Sequence, residues 1–507
     1  MSRGALVCIG FMGAGKSTAA RSAATALGTE AIDVDHVLEA QLGSSIAEFF
    51  DEHGEAAFRE LEERVTLEQL ESPSSAVLSL GGGAIGSERV RAALAKHRVI
   101  WVDVDLDTAW ARASGSGRPL ARDRERFVGL YEEREPVYAS LADVVVPTSC
   151  TDRMGTVTEA LDELPAGVRL LWATSASADY PAYVGPGLLA AGFWPRSIEG
   201  KRFLVSDGNV ARLYGDALEP LAGRVSVMPG EQSKTIAHAE IVWTELLRAG
   251  LTRADVVIAL GGGVVGDLGG FCAATYQRGV RCVQAPTTLV AQVDSAYGGK
   301  TGVDLPEAKN YIGTFHEPSA VIADTGALET LPPEELAAGY AEVVKTALIA
   351  GGWLWERVRA GGDPADPELI AGCALAKLRI VARDERDGDI RQALNLGHTV
   401  GHAIETVTGY ARYRHGEAVG LGLLAALRLS DQRELRAEVA ELLRRAGLPT
   451  SLDGADPHEI VLATERDKKR LDDGPVPFVL LDGPGAVRIG CPVPAPQVAD
   501  AVRELAR

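Results

Sequence analysis

Two stretches of this sequence carry side chains whose types and spacing suit phosphate chemistry and metal chemistry. The first, GFMGAGKS at residues 10–17, follows an apolar run directly and has the spacing G-x-x-x-x-G-K-[ST]. Backbone N–H groups of such a loop wrap phosphate oxygens, and the helix that follows points its positive end at them. Lys16 would reach the β- and γ-phosphates, and Ser17 would contact Mg²⁺. An ordinary glycine-rich turn is the weaker alternative, because a strand-like run precedes the motif and a helix-forming stretch follows it.

Further side chains in the first third of the chain could hold a small hydroxy acid. AIDVDHVLE places Asp33 and Asp35 on the same face of a strand end, since side chains alternate there. One carboxylate can hold hydrated Mg²⁺ while the other accepts the proton of an attacking hydroxyl. Arg59 and Glu62 lie three apart on a predicted helix, so the acid can orient the guanidinium. The glycines of LGGGA, at residues 80–84, let the backbone approach a small ligand closely.

Together these segments resemble shikimate kinase over nearly all of residues 1–165. The resemblance implies that Asp35 binds shikimate hydroxyls and acts as the base, with Asp33 near Mg²⁺. It also implies that Arg59 and Arg134 hold the carboxylate, and that Arg118 reaches the phosphates from a mobile lid, SGSGRPLARDRER. The implied ATP-binding residues are Gly13, Ala14, Gly15, Lys16, Ser17, Thr18 and Arg118, and the implied shikimate-binding residues are Asp35, Arg59, Gly82 and Arg134. Lys16, Asp35 and Arg118 would be catalytic. A gluconate- or nucleotide-type kinase is the alternative.

A second group of reactive side chains lies between residues 342 and 415. NLGHTVGHAIE places His398 and His402 four apart on one helical face, and His415 follows at a predicted helix start. A lone histidine pair is more often structural than metal-binding, but Glu342 in GYAEVVKTA offers a further ligand, with Lys345 on the same face. Two imidazoles and a carboxylate leave positions open for substrate oxygens, the pattern of a catalytic zinc site.

The dinucleotide signal upstream is weaker. ALGGGVVGDL, at residues 259–268, follows a strongly apolar run but departs from the usual G-x-G-x-x-G spacing. Taken alone, a tight strand-to-helix turn explains it equally well. Polar segments around it, SDGNV, PGEQSKT and APTTLVAQVDSAYGGKT, favour a dinucleotide, because SDGNV follows a strand as an acid that binds the adenosine ribose would.

In this order, these segments resemble 3-dehydroquinate synthase over about residues 180–490. The resemblance implies Glu342, His398 and His415 as ligands of Zn²⁺ or Co²⁺, and NAD⁺ lying across the glycine turn. The implied NAD contacts are Asp207, Asn209, Glu231, Lys234, Gly262, Gly263, Asp267, Thr287, Thr288, Lys309 and Thr330, with Leu331 beside it. The implied substrate contacts are Arg278, Asp294, Lys300, Asn310, Lys345, Lys377, Arg391, Asn395, His402 and one of Lys468 and Lys469, of which Lys468 is preferred. In the implied reaction, a carbocyclic acid forms with loss of phosphate and NAD⁺ is regenerated.

One position departs from the pattern of this family. The family usually has D-E-x-E-x-G-x-R before the histidine motif, whereas this chain has DERDGDIR. Asp387 therefore stands where a glutamate is expected, one methylene shorter. Lys300, Asp387 and His402 are the residues that we expect to be catalytic in this half. If Asp387 takes part in proton transfer, its shorter reach would change the rate by about tenfold or more.

The elements that must position these residues follow from the pattern of apolar runs. Short apolar runs alternate with amphipathic stretches over residues 1–165 and again over 168–330, as in a parallel sheet covered by helices. Long helical patterns follow from about residue 331. The predicted fold is α/β: a P-loop kinase domain at 1–165, a linker at 166–180, a Rossmann-like NAD-binding α/β domain at 181–330, and a mainly α-helical metal- and substrate-binding domain at 331–507.

Composition narrows the class of protein. The formal charge of −19 disfavours nucleic acid and anionic membranes as partners, so we expect small-molecule substrates only. The six cysteines show no zinc or disulfide spacing and read as buried thiols of a reducing compartment, which predicts a cytoplasmic protein. The synthase resemblance implies a homodimer. Two alternatives remain: another sugar-phosphate cyclase or polyol dehydrogenase in the second half, or one half kept only as a binding module. Lys16, Asp35, Lys300 and the metal triad argue against the latter.

Overall fold

The structure, a computed structural model, describes residues 4–72, 76–115, 119–306, 308–465 and 476–506. The chain divides into two compact units. Unit 1 consists of Met1–Thr174, Pro181–Tyr183 and Pro195–Ser197, and unit 2 of Ser175–Tyr180, Val184–Trp194 and Ile198–Arg507. By number, every residue predicted for the kinase site belongs to unit 1 and every residue predicted for the synthase site to unit 2.

Short strands and helices alternate through the first part of the chain. The strands are β1 (Leu6–Ile9), β2 (Ala31–Asp33), β3 (Val77–Ser79), β4 (Arg98–Asp103), β5 (Val144–Pro147), β6 (Arg169–Thr174) and β7 (Asp179–Gly185). The helices are α1 (Lys16–Leu27), α2 (Val34–Leu42), α3 (Ile46–Glu71), α4 (Glu88–Leu94), α5 (Leu106–Ala113), α6 (Arg124–Leu141) and α7 (Met154–Asp162). This order confirms the alternation that the apolar runs predict.

The sheet of unit 1 is parallel, with strand order β2-β3-β1-β4-β5-β6. Val7, Leu78, Ile100 and Val145 are buried on these strands, as expected for a sheet covered on both faces. Strand β6 lies inside the stretch 166–180 that the sequence indicates as a linker, and it pairs with β5. The apolar side chains of β6 are buried, so this part of the stretch is a strand of the sheet and not a free connection.

The alternation continues after residue 200 and then gives way to helices. The strands are β8 (Arg202–Asp207), β9 (Gly223–Val227), β10 (Val256–Gly261), β11 (Arg281–Pro286), β12 (Lys300–Leu305), β13 (Ala308–Phe315), β14 (Ala320–Asp324), β15 (Val476–Gly483) and β16 (Ala486–Val493). The helices are α8 (Gly208–Tyr214), α9 (Ile236–Arg248), α10 (Gly263–Thr275), α11 (Pro333–Ala350), α12 (Gly352–Arg359), α13 (Pro367–Arg383), α14 (His398–Val407), α15 (His415–Leu429), α16 (Arg433–Arg445), α17 (Pro457–Glu465) and α18 (Ala495–Leu505).

The main sheet of unit 2 is also parallel, in the order β14-β11-β10-β8-β9. Alternate residues of β8 enter different hydrophobic clusters: Phe203 and Val205 pack with α9 and α10, whereas Leu204 packs with Ile258 of β10 in a second cluster. Both faces of the sheet are therefore covered. The carboxyl ends of its strands are the edge where ligands of such sheets bind.

The change to helices near residue 331 is confirmed, because α11 begins at Pro333. Two hairpins differ from the expectation: β12 pairs with β13, and β15 pairs with β16 inside the part expected to be mainly helical. Exposed and half-buried residues alternate along β16, which is the pattern of a strand with one solvated face.

All six cysteines are free, and five of them are buried, as the sequence predicts, while Cys491 is half-buried. Among the described residues, none of the helices combines the length and the apolar content that crossing a membrane requires.

Candidate active sites

The predicted phosphate loop lies between β1 and α1. Gly13 and Gly15 have φ of 79° and 94°, in the left-handed region that favours glycine, so their identity follows from the turn itself. Gly15 is the residue before α1, and the first turn of α1 contains no acidic side chain. The positive end of the helix is therefore available to an anion. Lys16 donates to the carbonyl oxygen of Phe11 at 3.2 Å, which keeps its ammonium at the loop.

The two arginines expected to hold a carboxylate meet at the glycine run that follows β3. Arg134 donates to the carbonyl oxygen of Gly82 at 3.0 Å. A Cβ atom at Gly83 would come 1.9 Å from the Nη1 atom of Arg59, so any side chain there would displace this guanidinium. Arg59 itself pairs with Glu62 at 2.5 Å and with Glu55 at 3.3 Å. The structure thus brings Arg59, Arg134 and the glycines together.

Asp35 also reaches this glycine run. A Cβ atom at Gly81 would come 2.9 Å from the Oδ1 atom of Asp35 and 2.4 Å from the Oε1 atom of Glu62. Burial raises the pKa of Glu62, and the charge of Asp35 raises it further, although Arg59 opposes both effects. Two carboxylates, of Asp35 and Glu62, and two guanidinium groups, of Arg59 and Arg134, therefore lie around the glycines that follow β3.

The expected placement of Asp33 and Asp35 on one strand end is wrong. Strand β2 ends at Asp33 and helix α2 begins at Val34, so Asp35 lies in the first turn of a helix. Asp33 caps this helix by accepting a hydrogen bond from the backbone N–H of Asp35 at 3.1 Å. The capping preference of Asp33 ends the strand before the alternation of side chains can continue.

The predicted lid is only partly described, because Arg118 lies outside the described residues. The described part makes ion pairs with helix α3: Arg122 with Asp51 at 3.1 Å and Arg126 with Glu55 at 2.8 Å. Arg112 on α5 was not predicted and donates to the carbonyl oxygen of Gly13 at 3.0 Å. Its only sequence signal is a basic residue in the last turn of a helix before the lid.

In unit 2, the candidate metal ligands come from three helices. Glu342 lies on α11, His398 begins α14 and His415 begins α15. The Oε1 atom of Glu342 lies 3.6 Å from the Nε2 atom of His398 and 3.3 Å from the Nε2 atom of His415. His402 lies beside them, with its ring centroid 5.2 Å from that of His398. His398 and His402 thus lie on one face of α14, as their spacing of four residues predicts.

The donor atoms of this cluster fit a divalent cation. One carboxylate oxygen and two imidazole nitrogens converge, and neither carboxylate oxygen of Glu342 accepts a well-aligned hydrogen bond from the described residues. Burial alone would lower the pKa of His415, but the carboxylates of Glu342 and Glu405 outweigh it and raise that pKa to about 10. The surroundings of His415 therefore favour a positive charge between these groups.

Two buried ammonium groups and one half-buried carboxylate continue the charge network of the cluster. The Lys345 ammonium lies 2.5 Å from Glu342 and 2.9 Å from Asp294, and Lys377 also pairs with Asp294. Burial alone would raise the pKa of Asp294, but the two ammonium groups hold it well below its usual range. Burial lowers the pKa of Lys377, which Asp294 only partly offsets. Three of the predicted substrate contacts therefore form one network with the candidate metal ligands.

Lys300 meets Asp387, the position that departs from the family pattern. The Lys300 Nζ atom lies 2.5 Å from the Oδ2 atom of Asp387, whose backbone has φ of 64°. Asp384, which was not predicted, accepts hydrogen bonds from the backbone N–H groups of Gly388, Asp389 and Arg391 at 2.7–3.0 Å. An acid that opens a glycine-containing loop is a common turn signal and could have indicated this residue.

Arg391 is buried beside this loop, with 1% of its surface exposed. Its Nη2 atom donates to the carbonyl oxygen of Gly298 at 2.7 Å, and its Nη1 atom donates to the carbonyl oxygen of Glu385. Arg391 lies in the short 3₁₀ helix Ile390–Asn395, and Asn395 ends this helix three residues before His398. The loop 384–391 therefore connects Lys300 with the histidine helix.

The predicted dinucleotide residues gather at the carboxyl end of the sheet. Gly262 precedes α10 at the end of β10, and a Cβ atom there would come 3.0 Å from the Cγ2 atom of Thr288. The hydroxyl of Thr287 is buried and has no hydrogen-bond partner among the described residues. A bare helix N-terminus and an unpaired hydroxyl suit a phosphate-bearing ligand, so the residues present fit NAD⁺.

The charged members of this group form a second network. Lys234 lies 2.5 Å from Asp267 and 3.7 Å from Glu231, and Lys309 lies 3.7 Å from Glu231. Burial alone would lower the pKa of Lys234, but the two carboxylates outweigh it and raise that pKa. Three other predicted NAD contacts have local partners: Asp207 caps α8, Asn209 accepts a hydrogen bond from Arg212 at 3.0 Å, and the Thr330 hydroxyl lies 2.9 Å from that of Tyr214. The predicted substrate contact Asn310 donates its backbone N–H to Asp304 at 2.7 Å.

One predicted substrate contact that the structure describes, Arg278, is not brought to this cluster. Arg278 is exposed and precedes β11, whereas Thr287 follows the same strand. A six-residue strand spans about 20 Å at about 3.3 Å per residue. Arg278 therefore lies at the amino edge of the sheet, and Thr287 at the carboxyl edge. Lys468 and Lys469 lie outside the described residues.

Glu405 is the main residue that the sequence interpretation missed. It is buried on α14, its Oε2 atom lies 3.5 Å from the Nδ1 atom of His415, and its Oε1 atom lies 3.6 Å from the Lys309 ammonium. Its signal was available in HTVGHAIE, because residues 398, 402 and 405 fall on one face of a helix.

Comparisons with known proteins agree with this geometry. The family profile of shikimate kinase matches residues 12–165, that of the 3-dehydroquinate synthase N-terminal part matches residues 224–338, and that of its C-terminal part matches residues 339–470. The 3-dehydroquinate synthase of Symbiobacterium thermophilum is 43% identical over 350 residues, covering 64% of this chain and 96% of the relative. That of Halorhodospira halophila is 46% identical over 299 residues, covering 56% of this chain and 84% of the relative.

Solved structures give the same fold for unit 2. A 2-deoxy-scyllo-inosose synthase in complex with carbaglucose-6-phosphate, NAD⁺ and Co²⁺ has a TM-score of 0.60 at 25% identity, covering 66% of this chain and 99% of that one. ValA, a 2-epi-5-epi-valiolone synthase from Streptomyces hygroscopicus with NAD⁺ and Zn²⁺ bound, has a TM-score of 0.60 at 26% identity, covering the same shares. The chain therefore belongs to the 3-dehydroquinate synthase family and carries a shikimate kinase domain ahead of the synthase.

Proposed function

We propose that the chain catalyses two reactions of one biosynthetic pathway. Unit 1 transfers a phosphoryl group from ATP to shikimate and gives shikimate 3-phosphate. Unit 2 converts 3-deoxy-D-arabino-heptulosonate 7-phosphate to 3-dehydroquinate and phosphate, with NAD⁺ and a divalent metal as cofactors. Family membership supports both assignments, and each rests on one geometric observation in its own unit.

For the kinase, that observation is the meeting of Arg59, Arg134 and Asp35 at the glycines that follow β3. Two guanidinium groups can hold a carboxylate, and Asp35 can accept the proton of the attacking hydroxyl. The phosphate loop binds ATP through the backbone N–H groups of residues 13–18, and Lys16 neutralises the transferred phosphate. Ser17 and Asp33 would hold Mg²⁺. Arg118 remains a proposed contact from the lid.

For the synthase, that observation is the cluster of Glu342, His398 and His415 beside Lys345 and Asp294. When bound, NAD⁺ would accept and return a hydride, and the metal held by the cluster would act as a Lewis acid. The lowered pKa of the Lys377 ammonium suits it to donate a proton. Lys300 and Arg391 supply positive charge for a phosphate and a carboxylate. His402, beside the cluster, is placed to hold or transfer a proton.

Another sugar-phosphate cyclase or a polyol dehydrogenase is not favoured as the second activity. The relatives at 43% and 46% identity are 3-dehydroquinate synthases, whereas the two solved cyclases with other names are 25% and 26% identical. Carboxylate substrates also fit the several basic groups near Asp294 better than neutral polyols do.

The kinase assignment is tested with purified full-length chain, ATP, Mg²⁺ and shikimate. We expect shikimate-dependent ADP formation that Lys16→Ala abolishes, while the synthase activity of the same variant is retained. Equal rates for Lys16→Ala and the unchanged chain would contradict the assignment. Gluconate replaces shikimate in a parallel reaction and should give no turnover.

The synthase assignment is tested with 3-deoxy-D-arabino-heptulosonate 7-phosphate, NAD⁺ and Zn²⁺. We expect stoichiometric phosphate release without net NADH, since the cofactor is regenerated. Accumulation of NADH would indicate a dehydrogenase, and phosphate release from a sugar phosphate that lacks the carboxylate would indicate another cyclase. Glu342→Gln should abolish the release and leave the kinase reaction unchanged.

The remaining expectations belong to the same proposal. We infer a kinase domain at 1–165 whose sheet is extended by β6 in the stretch 166–180, and synthase domains at 181–330 and 331–507. We also infer a homodimer formed through unit 2 and a cytoplasmic location, which the free buried thiols support. The charge of −19 argues against nucleic acid or anionic membranes as partners. Light scattering of the purified chain tests the dimer, and a mass of one chain would contradict it. Fractionation of the source cells tests the location.

A further inference from the structure

Glu405 is a buried carboxylate that the two assigned sites leave without a role. It lies on α14, and together with His398 and His402 it occupies one face of this helix. Only 4% of its surface is exposed. A buried carboxylate is costly unless charged or hydrogen-bonding groups surround it, so its partners indicate why it is there.

Both nitrogens of His415 face a carboxylate. The Nε2 atom lies 3.3 Å from Glu342, and the Nδ1 atom lies 3.5 Å from Glu405. An imidazole that donates from Nδ1 keeps the lone pair of Nε2 free for a metal ion. Glu405 thus occupies the position from which a carboxylate can select this tautomer and fix the plane of the ring.

Glu405 is itself held from the side of the predicted dinucleotide site. The ammonium of Lys309 lies 3.6 Å from Glu405 and 3.7 Å from Glu231, and it lies 4.1 Å from the centroid of the Tyr410 ring. Lys309 therefore compensates the buried charge and restricts where the carboxylate can move. Lys309 lies on β13, so its contact with Glu405 links the hairpin to His415.

We propose that Glu405 is a positioning residue that holds His415 through its Nδ1 atom and thereby sets the metal affinity of the centre formed by Glu342, His398 and His415. The proposal rests on the proposed function, because it requires that this centre binds a metal. It concerns affinity and ligand geometry, and not the chemical steps of the reaction.

One other arrangement uses the same atoms. His402, Glu405 and His415 could also hold an ion, because their donor atoms lie within 4.8 Å of one another. A neutral imidazole has one lone pair, so His415 cannot serve both groups while one nitrogen carries a proton. The number of metal ions bound per chain therefore distinguishes a positioning role from direct ligation.

The test uses the full-length chain and the variants Glu405→Gln, Glu405→Asp and, as a matched control, Glu335→Gln. The control removes the same charge from an exposed carboxylate that pairs with Arg414 and does not contact His415. Zn²⁺ affinity is measured by competition with a chelator, and the visible spectrum of bound Co²⁺ reports ligand geometry. Thermal unfolding of the metal-free proteins shows that each variant is folded.

We expect one Zn²⁺ per chain and an affinity about 10- to 100-fold weaker in Glu405→Gln, which is the usual effect of losing such a carboxylate. The Co²⁺ spectrum should change in Glu405→Gln and remain unchanged in Glu335→Gln. Glu405→Asp keeps the charge on a shorter side chain, so its Zn²⁺ affinity should lie between those of Glu405→Gln and Glu335→Gln. An unchanged Zn²⁺ affinity in Glu405→Gln would overturn the proposal, as would two Zn²⁺ per chain of which one is lost with Glu405.

The same measurements separate this proposal from the assignment of the synthase. If metal binds as expected but no phosphate is released from the heptulosonate substrate, the assignment of the reaction fails and the positioning role stands. If His415→Ala binds Zn²⁺ as tightly as the unchanged chain, the centre itself is absent, and both the metal site and the role of Glu405 are refuted.

Discussion

Lys300 and Asp387 form a 2.5 Å ion pair although 87 residues separate them in the sequence. The pair joins the first residue of the β12–β13 hairpin to the loop that precedes the histidine helix. Asp387 has φ of 64°, a conformation that aspartate tolerates better than most residues with longer side chains. This backbone conformation is therefore one that the shorter acid of this chain adopts readily.

Removing the charge of Asp387 should slow the synthase reaction. Asp387→Asn keeps a residue that tolerates the left-handed backbone but leaves the Lys300 ammonium without its carboxylate. We expect kcat of the synthase to fall by about tenfold or more. Kinase activity in the same preparation is the control, since its residues belong to unit 1, and it should not change. A synthase rate close to that of the unchanged chain would show that Asp387 has only a structural role.

Asp294 should be among the most important residues for the stability of unit 2. Asp294→Ala would leave two buried ammonium groups, of Lys345 and Lys377, without a shared carboxylate. Removing one partner of a buried charge network in this way lowers the free energy of unfolding by about 3–5 kcal/mol. Asp500→Ala, which removes an exposed ion pair with Arg503, should cost less than about 1 kcal/mol. Urea unfolding of both variants gives the comparison, and similar losses would contradict the prediction.

Asp384 should give the loop 384–391 a stability that depends on pH. Burial opposes the effect, but three backbone N–H groups outweigh it and lower the pKa of Asp384 below its usual 3.8. A lowered pKa means that this stability is present above pH 3.8 and is lost as the pH falls through the folded-state value. Proteolysis within the loop should therefore be faster in Asp384→Asn at neutral pH. With an acid-active protease, this difference should shrink below pH 3.8, and a difference independent of pH would refute the explanation.

Glu62 should affect shikimate binding more than ATP binding. Glu62→Gln leaves Arg59 paired only with Glu55, so the guanidinium loses its closer partner. We expect the KM for shikimate to rise about tenfold, which corresponds to one charged hydrogen bond, while the KM for ATP changes little. Glu68→Gln on the same helix is the control, because Glu68 pairs with Arg64 away from the glycine run. Equal increases in both KM values would argue against a specific role.

The cysteines should differ sharply in reactivity. Burial raises the pKa of Cys8 and that of Cys282 to about 12, so these thiols stay protonated at neutral pH. Cys491 alone among the six is not buried. A thiol reagent should therefore modify one cysteine quickly in the native chain and the remaining five only after unfolding, with Cys491→Ser as the control. Rapid modification of two or more would contradict the buried positions.

The sequence predicted best what depends on local spacing. The phosphate loop and the pairing of His398 with His402 follow from a loop motif and from helical periodicity, and both need only neighbouring residues. Asp35 was misplaced because an alternating run of five residues suits a strand and the start of a capped helix equally well. Arg278 could have been excluded from the local cluster, since it precedes a strand of a parallel sheet whose carboxyl end carries the site.

The contacts that the sequence could not predict join distant segments. Lys309 meets Glu405, and Lys300 meets Asp387, only because the β12–β13 hairpin returns towards the helices. This hairpin has no Asn-Gly or Asp-Gly turn to indicate it. A single sequence gives no measure of how such segments pack, although Glu405 itself lies on a helical face that was already recognised.

The kinase residues and the synthase residues belong to two compact units of a single chain. Translation of one message therefore supplies both activities in a fixed one-to-one ratio. Changes in expression raise or lower both together and cannot correct an imbalance between the two steps. Matching their fluxes must therefore come from the kinetic constants of the two sites, kcat and KM, so selection on either active site is constrained by the catalytic capacity of the other.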